Sequence, residues 1–167
     1  LSLFVHGFTV PTNAFLMRSG ARVVLVTTKG AADVLEIGNQ LRPKTYALIQ
    51  TKPKPVVDRA NVVEVAERVD AFGGIVEPLI DREVQRVVNQ VRLLEPEAVA
   101  ISLHFSFLAP GHEAKLASAL EEALPRVPVY ASHLVNPQLE EWPRASTTAM
   151  AAYVGPVVYN ATDHFKK

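Results

Sequence analysis

The sequence contains no cysteine in its 167 residues. A disulfide, a thiolate nucleophile and a cysteine-ligated zinc or iron–sulfur centre are therefore excluded. Proteins of the reducing cytoplasm form few disulfides, so this composition is typical of a cytoplasmic protein. We expect a cytoplasmic location.

The sequence also lacks an excess of charge, because 17 Lys and Arg residues balance 17 Asp and Glu residues. The chain therefore has no net positive charge that would attract nucleic acid or an anionic membrane surface. The longest strongly apolar stretch, Ala98 to Ala109, is well short of the roughly 20 residues that span a bilayer. We therefore expect neither nucleic acid nor a membrane as a partner.

The hydrophobic content is 49%, and the length matches one globular domain of about 100–200 residues. The chain begins with Leu1 in place of Met and enters at once an apolar strand pattern, Leu3 to Val5. We expect a single α/β domain over residues 1–167 that is part of a longer protein. An apolar face near Leu1 to Val5 would then be exposed and would favour self-association.

Runs of β-branched and apolar residues alternate with helical patterns, which predicts an α/β fold with a mainly parallel sheet and flanking helices. The predicted strands are Arg22 to Thr27, Ala98 to Leu103 and Val127 to Ala131, with Asn61 to Arg68 as an edge or antiparallel strand. Six residues are predicted to share one core between this sheet and its helices: Val23, Leu25, Val87, Val91, Val99 and Ile101.

Helices are predicted from apolar residues at three- and four-residue spacing. Their predicted ranges are Ala14 to Arg18, Asp81 to Leu94 with Asp81 as N-cap, Pro110 to Leu124, and Ser146 to Tyr153. The pair Gly155-Pro156 is expected to end or kink the last of these. Phe72-Gly73-Gly74 predicts a hairpin turn, and residues 40–59 an extended loop.

A polar turn, Thr9-Val10-Pro11-Thr12-Asn13, precedes the first predicted helix. Helix N-termini favour anions because their free N–H groups and the helix dipole face the ligand. Thr12 and Asn13 can both act as caps, and a hydroxyl or amide not used for capping could bind a substrate carbonyl or a phosphate. Capping and substrate binding both remain open.

Two arginines are candidates to bind a carboxylate or an imide oxygen through a bidentate guanidinium. Arg42 lies in the predicted loop, and Arg144 precedes the hydroxyl cluster Ser146-Thr147-Thr148. The alternative is that both arginines are exposed to solvent and that the hydroxyls cap a helix.

The five histidines show no i,i+4 pair, so no metal site is expected. His104 follows an apolar strand and His112 lies in the next helix, so they could meet in space as structural residues. His6 borders the threonine-rich turn, where it could donate a proton to a leaving group or bond a neighbouring carbonyl. Asp33 and Glu36 are expected to complement a helix dipole.

Five stretches in chain order resemble the N-terminal region of the hydantoinase A/oxoprolinase family. This family includes ATP-dependent oxoprolinases, hydantoin-cleaving subunits and subunits of ketone carboxylases, and it is similar to the actin-like ATPases. The stretches are HGFTVPTNAF (6–15), GARVVLVTTKGAADVLEIGNQLRP (20–43), AERVDAFGGIVEPL (66–79), EAVAISLHFSFLAPGHE (97–113) and RASTTAMAAYVGPVV (144–158).

The resemblance implies that the complete protein uses ATP and Mg²⁺ to phosphorylate the carbonyl oxygen of a small cyclic amide or imide, which water then opens. It implies a second, hydantoinase B-type subunit or domain as partner, and it leaves homo-oligomerisation open. Hydrolase and carboxylase activity both remain possible readings. By the same resemblance, the catalytic residues are His6, Thr9 and Asn13, and the substrate-binding residues are Thr12, Arg42, Arg144 and Thr147.

Several positions depart from the family pattern. Phe8 replaces a threonine and Pro11 an alanine in the His-Gly-Thr-Thr-Val-Ala-Thr-Asn motif, Pro143 replaces an acidic residue, and Ala109 stands where asparagine is often found. The family's glycine-rich phosphate loop lies upstream of residue 1. We therefore expect no cofactor and no ATP turnover in this chain alone, and a non-catalytic structural or subunit-contact module is the alternative interpretation.

Overall fold

A four-stranded parallel sheet forms the centre of the fold. The computed structural model describes residues 7, 9–40, 45–46, 48–49 and 52–163. The strand order is β2-β1-β5-β6, and every neighbouring pair is parallel. The strands are β1 (Val23–Thr28), β2 (Val62–Val65), β5 (Ala98–Ser102) and β6 (Val129–Ala131), and β3 (Arg68–Val69) and β4 (Ile75–Glu77) form a separate hairpin.

The two central strands are apolar along almost their whole length, and every residue of β1 and β5 is buried. Such uninterrupted burial is typical of parallel strands with helices on both faces. At the edge of the sheet, β2 buries only alternate residues. Its edge position confirms the prediction, but the antiparallel alternative is wrong because β2 runs parallel to β1.

The predicted hairpin is also confirmed. β3 pairs antiparallel with β4, and Gly73 in the connecting turn has φ of 83°. That left-handed conformation costs glycine little because glycine has no Cβ. The hairpin leads into the first of the two helices on one face of the sheet.

Six α-helices surround the sheet in the described part of the chain. α3 and α4 cover one face, and α6 covers the other, with α1 and α2 packed against it. None of these helices is long and apolar enough to cross a membrane. Their bounds are α1 (Val10–Leu16), α2 (Val34–Ile37), α3 (Asp81–Leu93), α4 (Gly111–Ala123), α5 (Ser132–Val135) and α6 (Glu141–Asp163).

The sheet separates two cores, which corrects the prediction of a single one. Val87 and Val91 of α3 pack with Val99 and Ile101 of β5 on one face. Val23 and Leu25 lie on the opposite face, where they pack with alanines and Tyr153 of α6. Alternate side chains of a strand point to opposite faces, and in an all-apolar strand the sequence does not reveal which face each residue takes.

α3 and α4 match their predicted ranges within one residue. Asp81 is the first residue of α3, however, and Ile80 occupies the N-cap without a side-chain hydrogen bond. The predicted capping role of Asp81 is therefore wrong. Instead, its carboxylate lies 2.7 Å from the ammonium group of Lys115 on α4.

α6 is much longer than predicted, because it begins at Glu141 and continues through Pro156 to Asp163. A proline inside a helix loses one main-chain hydrogen bond, but α6 lies along the sheet and packs into the second core over Ala149, Ala152 and Tyr153. Tertiary packing outweighs this local preference. The predicted end of the helix at Gly155-Pro156 is wrong, and a kink there stays a prediction.

Two further expectations concern the start of the chain and the long loop. The strand predicted at Leu3 to Val5, with its apolar face, lies outside the described residues. Between residues 40 and 58, the described positions form neither helix nor strand, as predicted. α2 begins after Asp33 and carries Glu36 in its first turn, which confirms the expected acidic helix start.

Candidate functional site

The carboxyl ends of β1 and β5 open into a cleft of about 420 Å³. Open parallel sheets bind ligands beyond the carboxyl ends of their strands, which makes this position the first place to look for a site. We call it the carboxyl-edge cleft. Its walls come from the segments after β1 and β5, from α2 and from the start of α6, and include Gly30, Asp33, His104, Glu141 and Trp142.

A larger groove of about 650 Å³ follows the outer edge of β2. Two of its charged groups already bond each other: Arg86 bonds the carboxylate of Glu83, and it also bonds the main-chain oxygen of Glu64. The groove runs along the edge of the sheet, and only Lys29 and Ala66 among its lining residues follow directly on the carboxyl end of a strand. We therefore place the candidate site in the smaller cleft.

His104 is the histidine that lines the carboxyl-edge cleft. Its main-chain N–H donates to the hydroxyl of Thr28 at 3.0 Å, and its Nδ1 lies 2.7 Å from Nη1 of Arg68. A guanidinium can only donate, so Nδ1 accepts and the ring proton of the neutral imidazole is on Nε2. Burial lowers the pKa of His104, and nearby Arg68 and Arg144 act in the same direction.

The residue before His104 is held from both sides. The main-chain N–H of Leu103 donates to Oε1 of Glu113 at 2.8 Å, and its carbonyl oxygen accepts a bond from Nη2 of Arg144 at 2.9 Å. Glu113 and Arg144 are fully buried. This double restraint fixes the point where β5 leaves the sheet, and with it the position of His104.

Glu113 also connects α4 to the segment after β6. Its carboxylate accepts bonds from the Ser132 hydroxyl at 2.7 Å, from the main-chain N–H of His133 at 2.9 Å and from His133 Nδ1 at 2.7 Å. With the bond from Leu103, four donors surround one carboxylate. Such complete satisfaction is what a buried charge requires.

A second buried carboxylate, Glu67, lies between β2 and the carboxyl-edge cleft. Oε1 accepts from the Thr28 hydroxyl at 2.5 Å, and Oε2 lies 2.7 Å from His112 Nδ1. Leu79 N–H donates to His112 Nε2 at 3.4 Å, so His112 Nδ1 carries the proton that Glu67 accepts. His104 and His112, which could have met in space, are connected only indirectly: Thr28 bonds both the main chain of His104 and Glu67, and Glu67 bonds His112.

Arg144 is buried, which rules out the solvent-exposed alternative. Nη1 donates to the carbonyl of Gln138 at 2.9 Å, and the guanidinium lies over the ring of Phe107, 5.3 Å from its centre. Burial lowers the pKa of Arg144, while Glu141 and Glu113 oppose that change. Among the described residues, Nε of Arg144 is the only buried side-chain nitrogen or oxygen without a hydrogen-bond partner. A contact between Arg144 and a ligand stays a prediction.

The threonine-rich turn differs from its predicted geometry. α1 begins at Val10, so Thr12 and Asn13 lie within the helix and are exposed, and neither is its N-cap. Thr9 occupies the N-cap without a side-chain hydrogen bond to the helix. The capping interpretation of these residues is wrong, and their substrate-binding role stays a prediction.

The remaining predicted site residues are spread over the chain. Thr147 is exposed on α6, six residues after the helix begins, so the hydroxyl cluster does not cap it. His6 and Arg42 lie outside the described residues. The arrangement around Glu67, Glu113 and His133 was not foreseen, although Glu113 belongs to the APGHE stretch that carries the family resemblance. No group of His, Asp or Glu in the described part is arranged to hold a metal ion.

Comparison with known proteins adds to this geometry. A model of the hydantoinase/oxoprolinase N-terminal region matches residues 1–124. The gamma subunit of acetophenone carboxylase from Aromatoleum aromaticum is 29% identical, with 92% of this chain and 23% of that protein covered. 5-Oxoprolinase 1 from Arabidopsis thaliana is 34% identical, with 91% of this chain and 13% of that protein covered.

A crystal structure of ATP-dependent caprolactamase from Pseudomonas jessenii has a similar fold. The TM-score is 0.86 at 30% sequence identity, and the match covers 97% of this chain and 24% of that one. This similarity confirms the predicted α/β class with its mainly parallel sheet. The chain spans a quarter or less of the length of the curated relatives it matches.

Proposed function

Because the chain belongs to the hydantoinase/oxoprolinase family, whose N-terminal-region model matches residues 1–124, we propose that it is part of an ATP-dependent enzyme that opens a small cyclic amide or imide. The observation that carries this proposal is the similarity in both sequence and fold to a caprolactamase described as ATP-dependent. Two relatives, a caprolactamase and a 5-oxoprolinase, are named after cyclic amides.

The chemistry starts from the low reactivity of an amide carbonyl. Transfer of the γ-phosphoryl group of ATP to the carbonyl oxygen releases ADP and makes the carbon a better electrophile. Water then attacks that carbon, the C–N bond breaks and the ring nitrogen takes a proton, which leaves an acyl phosphate. A second water attacks the same carbon, and the phosphate leaves with the original carbonyl oxygen, so that both oxygens of the product carboxylate come from water. The protein's part is to position the reactants and to stabilise the charge on oxygen.

For the site residues we retain the assignments that the family resemblance implies. Thr9, Thr12 and Asn13 are exposed together at the start of α1, where a ligand held by another part of the complete protein can reach them. Arg144 would act through the segment that carries His104, because it bonds the main-chain oxygen of Leu103. The proposed catalytic residues are His6, Thr9 and Asn13, and the proposed substrate-binding residues are Thr12, Arg42, Arg144 and Thr147.

We propose ATP and Mg²⁺ as cofactors of the complete enzyme. A bound Mg²⁺ ion would be held largely by phosphate oxygens and water, with one or two carboxylates. The described residues supply neither a metal-binding cluster nor a glycine-rich phosphate loop, so the cofactor groups would be held elsewhere in the complete protein. We propose a second subunit or domain as partner, since two relatives are named as subunits.

A second candidate function is activation of a ketone for carboxylation, which the relative named as an acetophenone carboxylase subunit supports. The same phosphoryl transfer would then act on an enolate or on bicarbonate, and a C–C bond would form in place of C–N cleavage. A structural module without catalytic residues is a third candidate.

The test is an assay of the complete protein that contains this chain, purified with its partner subunit. Hydantoin, 5-oxoproline and caprolactam are supplied with ATP and Mg²⁺, and ring opening and ADP are quantified together. We expect ring opening of at least one substrate, with about one ADP per ring. ATP-dependent consumption of bicarbonate and a ketone, with no ring opening, would establish the carboxylase instead.

A further inference from the structure

The carboxyl-edge cleft has the size and lining of a small-molecule site. Ligand pockets usually measure about 300–1,000 Å³ and combine apolar walls with a few polar groups. Here the apolar wall includes the side chains of Ala31, Val34 and Trp142. The polar lining residues are His104 and Glu141, together with Asp33, Asn39 and Glu140, and Asp33 is already paired with Arg59. The main chain adds Gly30, whose N–H is already used by Glu64.

His104 offers this cleft a hydrogen-bond donor and not an acceptor. Arg68 occupies Nδ1, so the neutral ring carries its proton on Nε2. Burial lowers the pKa of the ring, which keeps it neutral at physiological pH. The backbone restraint on Leu103, from Glu113 and Arg144, holds the ring in place.

Trp142 supplies an aromatic surface beside that donor. It is half-buried in the first turn of α6, and it borders both the carboxyl-edge cleft and a second, apolar pocket of about 300 Å³. A Cβ at Gly38 would lie 3.7 Å from the indole nitrogen, an ordinary van der Waals contact, so Gly38 lies directly beside the ring. Aromatic side chains bind flat rings through offset stacking and apolar contact.

Glu141 supplies an acceptor on the same wall. It precedes Trp142, lines the cleft, and is close enough to His104 to oppose, by its charge, the lowering of the histidine pKa by burial. Together, His104, Glu141 and Trp142 therefore give the cleft a donor, an acceptor and an aromatic face. A cyclic amide has the complementary groups: a carbonyl oxygen, a ring N–H and a nearly planar amide.

We propose that the carboxyl-edge cleft binds the amide ring of the substrate, with Nε2 of His104 donating to the carbonyl oxygen, Glu141 accepting from the ring N–H, and Trp142 packing against the ring. This inference rests on the proposed function and assigns a substrate subsite to it. His104 thus contacts the oxygen that is to be phosphorylated. Glu113 is a positioning residue that acts through Leu103, and Arg144, besides its proposed substrate contact, bonds the main chain of the same residue.

Trp142 is the single tryptophan of the chain, so its fluorescence can report on the cleft. The complete enzyme and its Trp142→Phe variant are titrated with 2-pyrrolidinone, an unsubstituted five-membered lactam, in the absence of ATP. The difference between the two emission signals isolates Trp142. We expect a saturable change in this difference signal.

The role of His104 is tested with two substitutions. His104→Gln keeps an N–H donor near the Nε2 position, whereas His104→Leu removes it. Losing one hydrogen bond of about 1–1.5 kcal/mol should weaken lactam binding roughly tenfold in His104→Leu and raise KM in the same proportion, with binding by His104→Gln within about threefold of the parent. Arg82→Gln, at an exposed position of α3, is the matched control. A thermal unfolding scan of each variant verifies that it is folded, and if His104→Leu does not fold, His104→Ala, which also removes the donor, takes its place.

The outcomes separate the two proposals. If the enzyme opens lactams with ATP but neither His104 variant changes KM or the Trp142 signal, the subsite is wrong and the function stands. If no lactam is opened but the Trp142 signal saturates with 2-pyrrolidinone and depends on His104, the subsite stands and the function is wrong. A Trp142 signal that responds to ATP and not to 2-pyrrolidinone would also overturn the subsite.

Discussion

Glu113 is the residue on which most buried polar contacts at the carboxyl edge converge. One carboxylate joins the end of β5, the start of α5 and the His133 side chain to α4. A buried charge of this kind is costly to desolvate, and it becomes strongly destabilising when its partners are left unpaired. The fold around the candidate site therefore depends on this side chain.

Replacing Glu113 by Ala should lower the free energy of unfolding by about 3–5 kcal/mol, because the variant leaves buried donors without an acceptor. Glu121→Ala, at an exposed position of the same helix, should change it by less than about 0.5 kcal/mol. Denaturant unfolding of the complete protein, followed by circular dichroism, measures both. Equal stability of the two variants would show that the Glu113 network contributes little.

The pKa of His104 links stability to pH. Burial lowers this pKa below its value in the unfolded chain, so between the two values the unfolded state binds more protons, and stability rises with pH there. As pH falls from about 7 to 5, the protein should lose stability, and the His104→Gln variant should lose less. Thermal unfolding at several pH values compares them. Identical pH profiles would contradict a buried, neutral His104.

Asn13 is the residue of the α1 turn whose catalytic role is easiest to isolate. Its side chain is exposed and is not a helix cap, so removing it should not cost the fold. If Asn13 donates to an oxyanion, Asn13→Ala should lower kcat of the complete enzyme by about 10²-fold or more, with thermal stability unchanged. Activity within a few-fold of the parent would remove Asn13 from the site, and Leu16→Ala, exposed on the same helix, serves as control.

The sequence indicated some of these residues but not their partners. Arg144 and the APGHE stretch stand out through the family resemblance alone. The pairs that organise the site join residues far apart in the chain, such as Thr28 with Glu67 and Glu67 with His112. No local pattern encodes such contacts, because they depend on which strand ends meet at one edge of the sheet.

At the scale of elements, strands and helices could be predicted where one physical rule dominates. The apolar runs of β1 and β5 and the apolar stripe of α3 gave correct elements. The predicted start of α1 and the predicted end of α6 were wrong. α1 begins earlier, at Val10, and α6 continues further, because tertiary packing outweighs local helix propensity. The strand order decides which helix packs against each face of a strand that is buried on both sides. No short stretch of sequence specifies that order.

A substitution at Gly155 tests whether close packing against β6 constrains α6 next to Pro156. A Cβ at Gly155 would overlap the hydroxyl of Tyr130 on β6, so Gly155→Ala should lower the free energy of unfolding by about 1–3 kcal/mol, although alanine favours helices. Adding Tyr130→Phe, which removes the overlapping hydroxyl, should recover part of that loss. Denaturant unfolding of the complete protein measures both variants.

The matched control is Gly111→Ala at the start of α4, where a Cβ would meet no neighbouring atom. That substitution should be neutral or slightly stabilising. If Gly155→Ala proved equally neutral, the close approach of α6 to β6 would not be a constraint on the helix.

At the scale of the whole molecule, the chain is built on a parallel sheet whose carboxyl edge is polar and partly buried. It spans a quarter or less of the length of each of these relatives. The described residues provide a cleft, a fixed neutral histidine and an exposed helix start. They do not provide a phosphate site. The proposed reaction needs a phosphate site as well, which we assign to other parts of the complete protein, and the central claim concerns the reaction that we propose for this assembly.

The most direct measurement of that claim follows the carbonyl oxygen. The complete enzyme is given ATP, Mg²⁺ and a cyclic amide labelled with ¹⁸O in the carbonyl group, and the released inorganic phosphate is analysed by mass spectrometry. Phosphorylation of the carbonyl oxygen, followed by water attack at carbon, predicts about one ¹⁸O atom in each phosphate released. Phosphate free of ¹⁸O, with the label retained in the carboxylate of the opened product, would contradict this route, in which the phosphate leaves the carbon together with that oxygen.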